Sequence, residues 1–206
     1  MKYDRIISVG CLCHVAYQIR RFTGDTTAFF FDWLYTPFEG LLQALENDFT
    51  GAFQRENLVF AHDDLSINRT VRDSKTGFDL FHYLPKDVDG GVKVNVLDAE
   101  FPQLKARFEY LSSRWLRTMN GARILFVRQV AERRPEPSVK ALAEVLSRKY
   151  PTLDFDILAV TMTDTGHTKF SVDPDTPRIL SAQVKKDKWP GDSVSWDAAF
   201  EQAINR

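Results

Sequence analysis

The sequence feature that most constrains the fold is a strand–helix–strand pattern in residues 122–160. Residues 122–127 (ARILFV) and 154–160 (DFDILAV) are almost entirely apolar, and residues 137–150 between them carry apolar side chains at helical spacing. Strands that are apolar on both faces are typical of a parallel sheet covered by helices on both sides. Two such strands joined by a helix form a parallel crossover unit, so the pattern predicts an α/β fold.

A second strand–helix pattern opens the chain. Residues 4–9 predict a short strand that ends at Gly10, and apolar side chains at helical spacing follow from Cys13. Arg20 and Arg21 in the last turn complement the carbonyl end of this helix, and Gly24 just beyond it fits its stop. Cys11 and Cys13 therefore lie where the strand turns into the helix.

The remaining segments give weaker patterns. Further helices are expected at residues 37–48, 101–119 and 195–205, and further strands at residues 58–61, 77–83, 92–97 and 179–184. We expect a single α/β domain over residues 1–206. Its architecture would be a three-layer sandwich with a mainly parallel sheet and an irregular insertion, at about residues 50–100, after the second helix.

Composition and the absence of motifs exclude several functional classes. The 27 basic and 28 acidic side chains give a net charge of -1, so we expect no nucleic acid partner. No apolar run approaches the ~18 residues that span a membrane. Nucleotide-binding glycine loops and metal-ligand spacings are absent, so we expect neither a cofactor nor a metal. A disulfide between Cys11 and Cys13 would be strained, which favours a reducing, cytoplasmic setting. The sequence does not indicate an oligomeric state.

Cys13 is the first candidate for chemistry. The unpaired amides at a helix N-terminus favour a thiolate, and together with the Gly10 turn they could donate to an oxyanion. The alternative is that Cys13 is a small, buried, structural residue. Cys11, in the turn itself, competes for the role of nucleophile.

A thiol enzyme usually needs an imidazole, and the chain has four histidines. His14 points away from its neighbour on the helix, and His62 fits a solvated loop. His82 lies in an aromatic segment, where a core or edge histidine is the alternative. His167 follows a parallel strand, where open α/β sheets place their sites. Sequence spacing alone does not decide which of them is the base.

Three further residues are candidates for ligand binding. Asp32 and Trp33 stand within an apolar run, so Asp32 is either a buried structural acid or a site residue. Arg128 ends an apolar strand, where it would bind an anion or simply mark the strand end.

These residues resemble a known family. The segment ISVG at 7–10, Cys13, the helix segment VAYQI at 15–19 and FDW at 31–33 are similar to the bacterial "putative papain-like cysteine peptidase" family, long described as a domain of unknown function. Its pattern is Ser-Leu-Gly-x-x-Cys, a helical Gln before an aliphatic residue, and Pro-Phe-Asp-Trp. The strand ending at Arg128 and the tail from Trp189 to Trp196 also look like the family.

The resemblance implies roles for individual residues. Cys13 takes the place of the family's cysteine, Asp32 and Trp33 that of its Asp-Trp pair, and His82 best matches its central histidine. Phe30 replaces the family's proline. A papain-type order would then need an acid or amide such as Asn95 or Asp98. Members of the family also occur beside surface-polysaccharide enzymes, which suggests a carbohydrate role.

Two functions from different classes follow. The first is a cysteine-dependent hydrolase, peptidase-like, or an acyl transferase, with Cys13 as nucleophile, His82 as general base and helix amides as oxyanion donors. The second is a glycosyltransferase-like or sugar-binding protein in which Asp32, Trp33 and Arg128 hold the ligand and Cys13 is structural. The substrate would be a small molecule, a peptide or a glycan. A non-catalytic interaction module is the third interpretation.

Overall fold

A computed structural model describes residues 2–62, 69–93, 95–130, 139–164 and 169–206 of the chain. These residues form five α-helices, seven β-strands and one short 3-10 turn at Arg55–Asn57. The helices are α1 (Cys13–Thr23), α2 (Phe38–Glu46), α3 (Leu97–Thr118), α4 (Val139–Lys149) and α5 (Ser193–Asn205). The strands are β1 (Arg5–Ser8), β2 (Leu58–His62), β3 (Arg69–Asp73), β4 (Arg123–Val130), β5 (Asp154–Thr163), β6 (Lys169–Val172) and β7 (Ile179–Lys185).

The central sheet has five strands in the order β1-β4-β5-β7-β6. The pairs β1–β4, β4–β5 and β5–β7 are parallel, and β6 alone runs antiparallel to its neighbour. The expected α/β fold with a mainly parallel sheet is therefore confirmed. Strands β2 and β3 form a separate antiparallel pair after α2, in the region expected to be irregular.

Helices cover both faces of the sheet and create three layers. Alternate residues of β4 show why, since Ile124 and Phe126 face one side and Leu125 and Val127 the other, all fully buried. The first pair joins a core with α2, α3 and α4, and the second pair joins a core with α1 and α5. Burial on both faces is the physical reason that this strand is apolar throughout.

The helices that follow the neighbouring strands β1 and β4 lie on opposite faces of the sheet. Strand β1 leads into α1 on one face, whereas α4, the next described element after the neighbouring strand β4, lies on the other face. Ligands of open α/β sheets bind outside the carboxyl ends of parallel strands where the connections diverge in this way. The turn that carries Cys11 and Cys13 lies at that point.

Two predicted strands are wrong. Residues 77–83 make only isolated bridges, from Asp79 to Tyr35 and to Arg72, and Gly77 has a φ of 74° that breaks an extended run. Of residues 92, 93 and 95–97, which the structure describes, Val92 makes a single bridge to Lys86 and Leu97 begins α3, so none of them lies in a strand. Strands β3 and β6 were not predicted, since both are short and largely polar and depend on an antiparallel partner. Among the described residues, no helix has the length and apolarity needed to cross a membrane.

Candidate active site

The turn between β1 and α1 has an unusual backbone. Gly10 has a φ of 81° and Cys11 a φ of 78°, so two successive residues adopt the left-handed conformation. Glycine does so freely, but a cysteine there stores strain of roughly 1–3 kcal/mol. Strained backbone is concentrated at functional sites, which makes this turn the first structural indication of one.

Thr36, in the loop that follows Trp33, packs against the Gly10–Cys11 turn. A Cβ added to Gly10 would lie 2.3 Å from Thr36 Oγ1, so no larger residue fits at position 10. The Thr36 amide also donates a hydrogen bond to the carbonyl of Cys11 at 3.2 Å. Gly10, which the sequence indicated as part of the site, therefore allows the loop to pack directly on the cysteine turn.

Cys13 is the first residue of α1 and is partly buried. Leu12 is the N-cap and makes no side-chain capping bond, so no side chain from that position occupies the amides of the first turn. Burial nevertheless raises the pKa of the Cys13 thiol, while the Trp189 side chain and the residue's own amide act in the lowering direction. The helix N-terminus was expected to favour the thiolate. The effect of desolvation on the Cys13 pKa is larger than that of the helix N-terminus, because a buried thiolate loses its hydration.

The structure places the described histidines in different surroundings. His14 has a buried Nδ1 with no hydrogen-bond partner among the described residues, and burial lowers its pKa. His82 is exposed, and its ring contacts Trp33 edge-to-face at a centroid distance of 5.8 Å. Partial desolvation and the nearby Lys86 lower the pKa of His82. His167 lies outside the described residues.

The two residues that a papain-type order would supply after the histidine are both on the surface. Asn95 is exposed and has a φ of 66°. Asp98 is exposed and pairs with Arg55 at 2.6 Å. The His82 ring contacts Trp33 and Phe81 instead of either residue.

Asp32 and Trp33 belong to a chain of side-chain contacts that also includes Arg20 and His82. Asp32 is only 4% exposed and accepts hydrogen bonds from the Phe29 amide at 3.0 Å and the Arg20 guanidinium at 2.9 Å. The same guanidinium lies over the Trp33 ring at 5.1 Å, and Trp33 contacts His82. Burial raises the pKa of Asp32 to about 6, although these two hydrogen bonds oppose the rise.

The raised pKa of Asp32 predicts a pH-dependent stability. Folded Asp32 holds its proton up to about pH 6, whereas an unfolded aspartate loses it near pH 3.9. Between these values the folded state binds more protons, so this group lowers the free energy of unfolding as the pH rises. We expect the stability of the wild type relative to Asp32→Asn to fall from about pH 4 to about pH 6 and then to level off.

Urea denaturation across this pH range measures the effect. The exposed Asp175→Asn serves as the matched control and should run parallel to the wild type. A stability difference between the wild type and Asp32→Asn that does not change with pH would contradict the raised pKa.

Arg128 is 1% exposed and connects the carboxyl-terminal part of β4 to the residue after β1 and to the loop that follows Trp33. Its guanidinium donates hydrogen bonds to the carbonyl of Val9 at 3.0 Å and to that of Thr36 at 3.2 Å. The Phe38 ring lies 4.9 Å from the guanidinium carbon. These contacts give Arg128 a structural role at the end of β4, and direct binding of a ligand by this residue stays a prediction.

Sequence analysis did not assign a role to Gln18 or Trp189. Gln18 is fully buried in α1, and its amide donates a hydrogen bond to the carbonyl of Pro190 at 2.9 Å. This bond holds the Trp189 segment, defined as residues 186–192, against the helix that begins at Cys13. The sequence contained one indication of this contact, which is a glutamine at a core position of an amphipathic helix. A polar side chain that is buried there needs a hydrogen-bond partner from another part of the chain.

No other chemical site emerges from the described parts of the chain. They contain no group of three or more His, Cys, Asp or Glu side chains that could hold a metal ion. A cavity of about 380 Å³ lies between residues 48–54 and α3. Its lining includes neither the Gly10 turn nor the start of α1.

Fold and site together define an α/β protein with a cysteine at the start of the helix that follows its first parallel strand. The chain belongs to the family described as "putative papain-like cysteine peptidase", which it matches over residues 4–165. This range contains Cys13, Asp32, His82 and Arg128, but it ends before the Trp189 segment. Comparison with curated proteins and with solved structures found no match. The family description supports a cysteine hydrolase at the level of a general class.

Proposed function

We propose that the protein is a cysteine-dependent hydrolase with Cys13 as its nucleophile. The observation that carries the proposal is the position of this thiol. It is partly accessible, at the first residue of a helix without a side-chain cap, where the connections of two parallel strands diverge. The family match supports the same class of chemistry.

The reaction would proceed through an acyl-enzyme. The Cys13 sulfur attacks a substrate carbonyl, forms a thioester and releases the leaving group, which takes a proton from the general acid. Water then attacks the thioester and regenerates the thiol. An acyl transferase differs only in the second step, where another nucleophile replaces water.

The first-turn amides of α1 are the proposed oxyanion donors. Backbone N–H groups at a helix N-terminus point toward an approaching anion and need no reorganisation when charge develops. Since Leu12 offers no capping side chain, these groups are not shielded from that position.

A general base is required because burial raises the pKa of Cys13 and keeps it in the thiol form near neutral pH. His82 is the proposed base. Its lowered pKa favours the neutral imidazole, which is the form that accepts a proton. Two contacts connect its surroundings to the turn. Asp79 pairs with Tyr35 through their backbones, and the next residue, Thr36, packs on Gly10.

Selective alkylation tests the proposed nucleophile. We expect iodoacetamide to modify Cys13 faster than Cys11, with a rate that rises toward alkaline pH because the pKa of Cys13 is raised. Mass spectrometry of both cysteine peptides between pH 6 and pH 10 measures the two rates. Cys13→Ser controls for the assignment, and His82→Gln should slow the reaction at neutral pH. Equal, slow modification of both thiols would argue against this proposal.

The second candidate is a sugar-binding or glycosyltransferase-like protein with a structural Cys13. The partial burial and raised pKa of the thiol fit this candidate as well. Thermal-shift measurements with nucleotide sugars distinguish the two. Stabilisation that persists in Cys13→Ala would favour the second candidate.

A further inference from the structure

The Trp189 segment lies over the start of α1. Trp189 packs on Tyr17 with ring centroids 5.2 Å apart and approaches His14 at 6.4 Å. Cys13 and Tyr17 are one helical turn apart, so both lie on the same face of α1. Trp189 therefore covers the face of the helix that carries the candidate nucleophile.

Two neighbouring residues of α1 hold this segment in place. Gln18 donates to the Pro190 carbonyl at 2.9 Å and accepts from Arg21 Nε at 2.7 Å. Arg21 also donates to the Ser193 carbonyl at 3.2 Å and pairs with Asp197 of α5. The segment is thus tied to α1 after Trp189 and again at the start of α5.

The placement of Trp189 is not explained by core packing. The residue is 56% exposed, whereas Trp196 in the same part of the chain is fully buried. Gln18 is a buried polar side chain, and one of its two hydrogen bonds holds a loop that lies on the surface. These contacts hold the Trp189 ring on Tyr17 and near His14, at the start of the helix that begins with Cys13. From there the Trp189 side chain acts to lower the pKa of Cys13, against the larger effect of burial.

The chemistry of the two groups is complementary. The indole Nε1–H of tryptophan is only a donor, and a neutral thiol is a weak acceptor. A thiolate is a much better acceptor because charge-assisted hydrogen bonds are stronger than neutral ones. An N–H group at this position therefore gains most when the sulfur becomes charged.

We propose that Trp189 is a positioning residue for the candidate nucleophile: its indole N–H stabilises the Cys13 thiolate, and its ring limits the approach of reagents to the sulfur. This inference deepens the proposed function and rests on it. Trp189 lies beyond the range matched by the family.

The pH profile of Cys13 alkylation in the full-length protein tests the inference with two substitutions. Trp189→Phe removes the N–H donor and keeps a ring on Tyr17. We expect its profile to move to higher pH, with a rate about threefold to tenfold lower at pH 7.5 and an unchanged alkaline plateau. Trp189→Ala also removes the ring, so its plateau should rise, and more for N-ethylmaleimide than for the smaller iodoacetamide. Tyr110→Phe, an exposed ring on α3, is the matched control.

The outcomes separate the inference from the proposed function. If wild-type Cys13 reacts and Trp189→Phe has the wild-type profile, the inference is overturned and the nucleophile stands. If wild-type Cys13 is modified only in urea, the proposed function fails and the inference fails with it. Gln18→Met removes the hydrogen bond to the Pro190 carbonyl, which we call the tether. If the tether positions Trp189, the pH profile of Gln18→Met shifts in the same direction as that of Trp189→Phe, while its circular dichroism spectrum stays unchanged. A folded Gln18→Met with the wild-type profile overturns the role of the tether.

Discussion

Replacing Arg128 by methionine is expected to lower the free energy of unfolding by roughly 2–5 kcal/mol. The guanidinium is 1% exposed and donates to the carbonyls of Val9 and Thr36. Methionine fills a similar volume and retains contact with Phe38, but it leaves both carbonyls without these donors. An unsatisfied buried acceptor costs about 1–3 kcal/mol, which sets the size of the effect.

Urea denaturation followed by circular dichroism measures this loss. The control is Arg123→Met at the other end of β4, where the side chain is 42% exposed and its ion pair with Asp154 is 3.4 Å long. We expect a loss below about 1 kcal/mol for the control, because exposed ion pairs contribute little. Equal losses in the two variants would show that the bonds of Arg128 to the turn are not a principal source of stability.

Gly10→Ala is expected to destabilise the protein by roughly 3 kcal/mol or more, as the sum of a steric and a conformational cost. The new Cβ would lie 2.3 Å from Thr36 Oγ1 and 2.6 Å from Thr36 Cβ. Relief requires movement of the loop or of the turn itself, and a φ of 81° is unfavourable for alanine in addition.

The chain offers a matched control in Gly24→Ala. Gly24 has a similar φ of 71°, but a Cβ there would meet nothing within 4 Å. Its substitution therefore carries only the conformational cost, about 1 kcal/mol. The difference between the two variants in the same denaturation assay isolates the contact between Gly10 and Thr36. If the two losses were the same, the close packing of the loop on the turn would be refuted.

Both substitutions also bear on the candidate site. Arg128 and Gly10 fix the position of residues 9–12, which lead directly into Cys13 at the start of α1. A displaced turn would change the exposure of the sulfur. We therefore expect folded forms of either variant to show an altered rate of Cys13 alkylation.

The local elements of the fold could be predicted from the sequence. The apolar strands β4 and β5 and the helix between them were recognisable because burial on both faces of a sheet demands uninterrupted apolar residues. The start of α1 at Cys13 and its end at Gly24 were confirmed for a similar reason, since these signals come from the backbone requirements of neighbouring residues.

Elements that depend on distant partners could not be predicted in this way. Strands β3 and β6 are short and partly polar, and they exist because an antiparallel neighbour satisfies their backbone groups. The wrong strand at residues 77–83 shows the converse. That segment has the aromatic content of a strand, but the backbone pairing around Asp79 is limited to single bridges.

The α/β class and the cysteine at a helix start could be read from the amino-acid sequence, because both follow from interactions within a few residues. The protonation state and the exposure of that cysteine depend on the folded chain around it. Trp189, which is distant in the sequence, packs on Tyr17 one turn further along the helix that begins at Cys13. Burial raises the pKa of the Cys13 thiol against the effect of the helix N-terminus. Desolvation depends on everything that packs around the sulfur, and no local pattern encodes that sum.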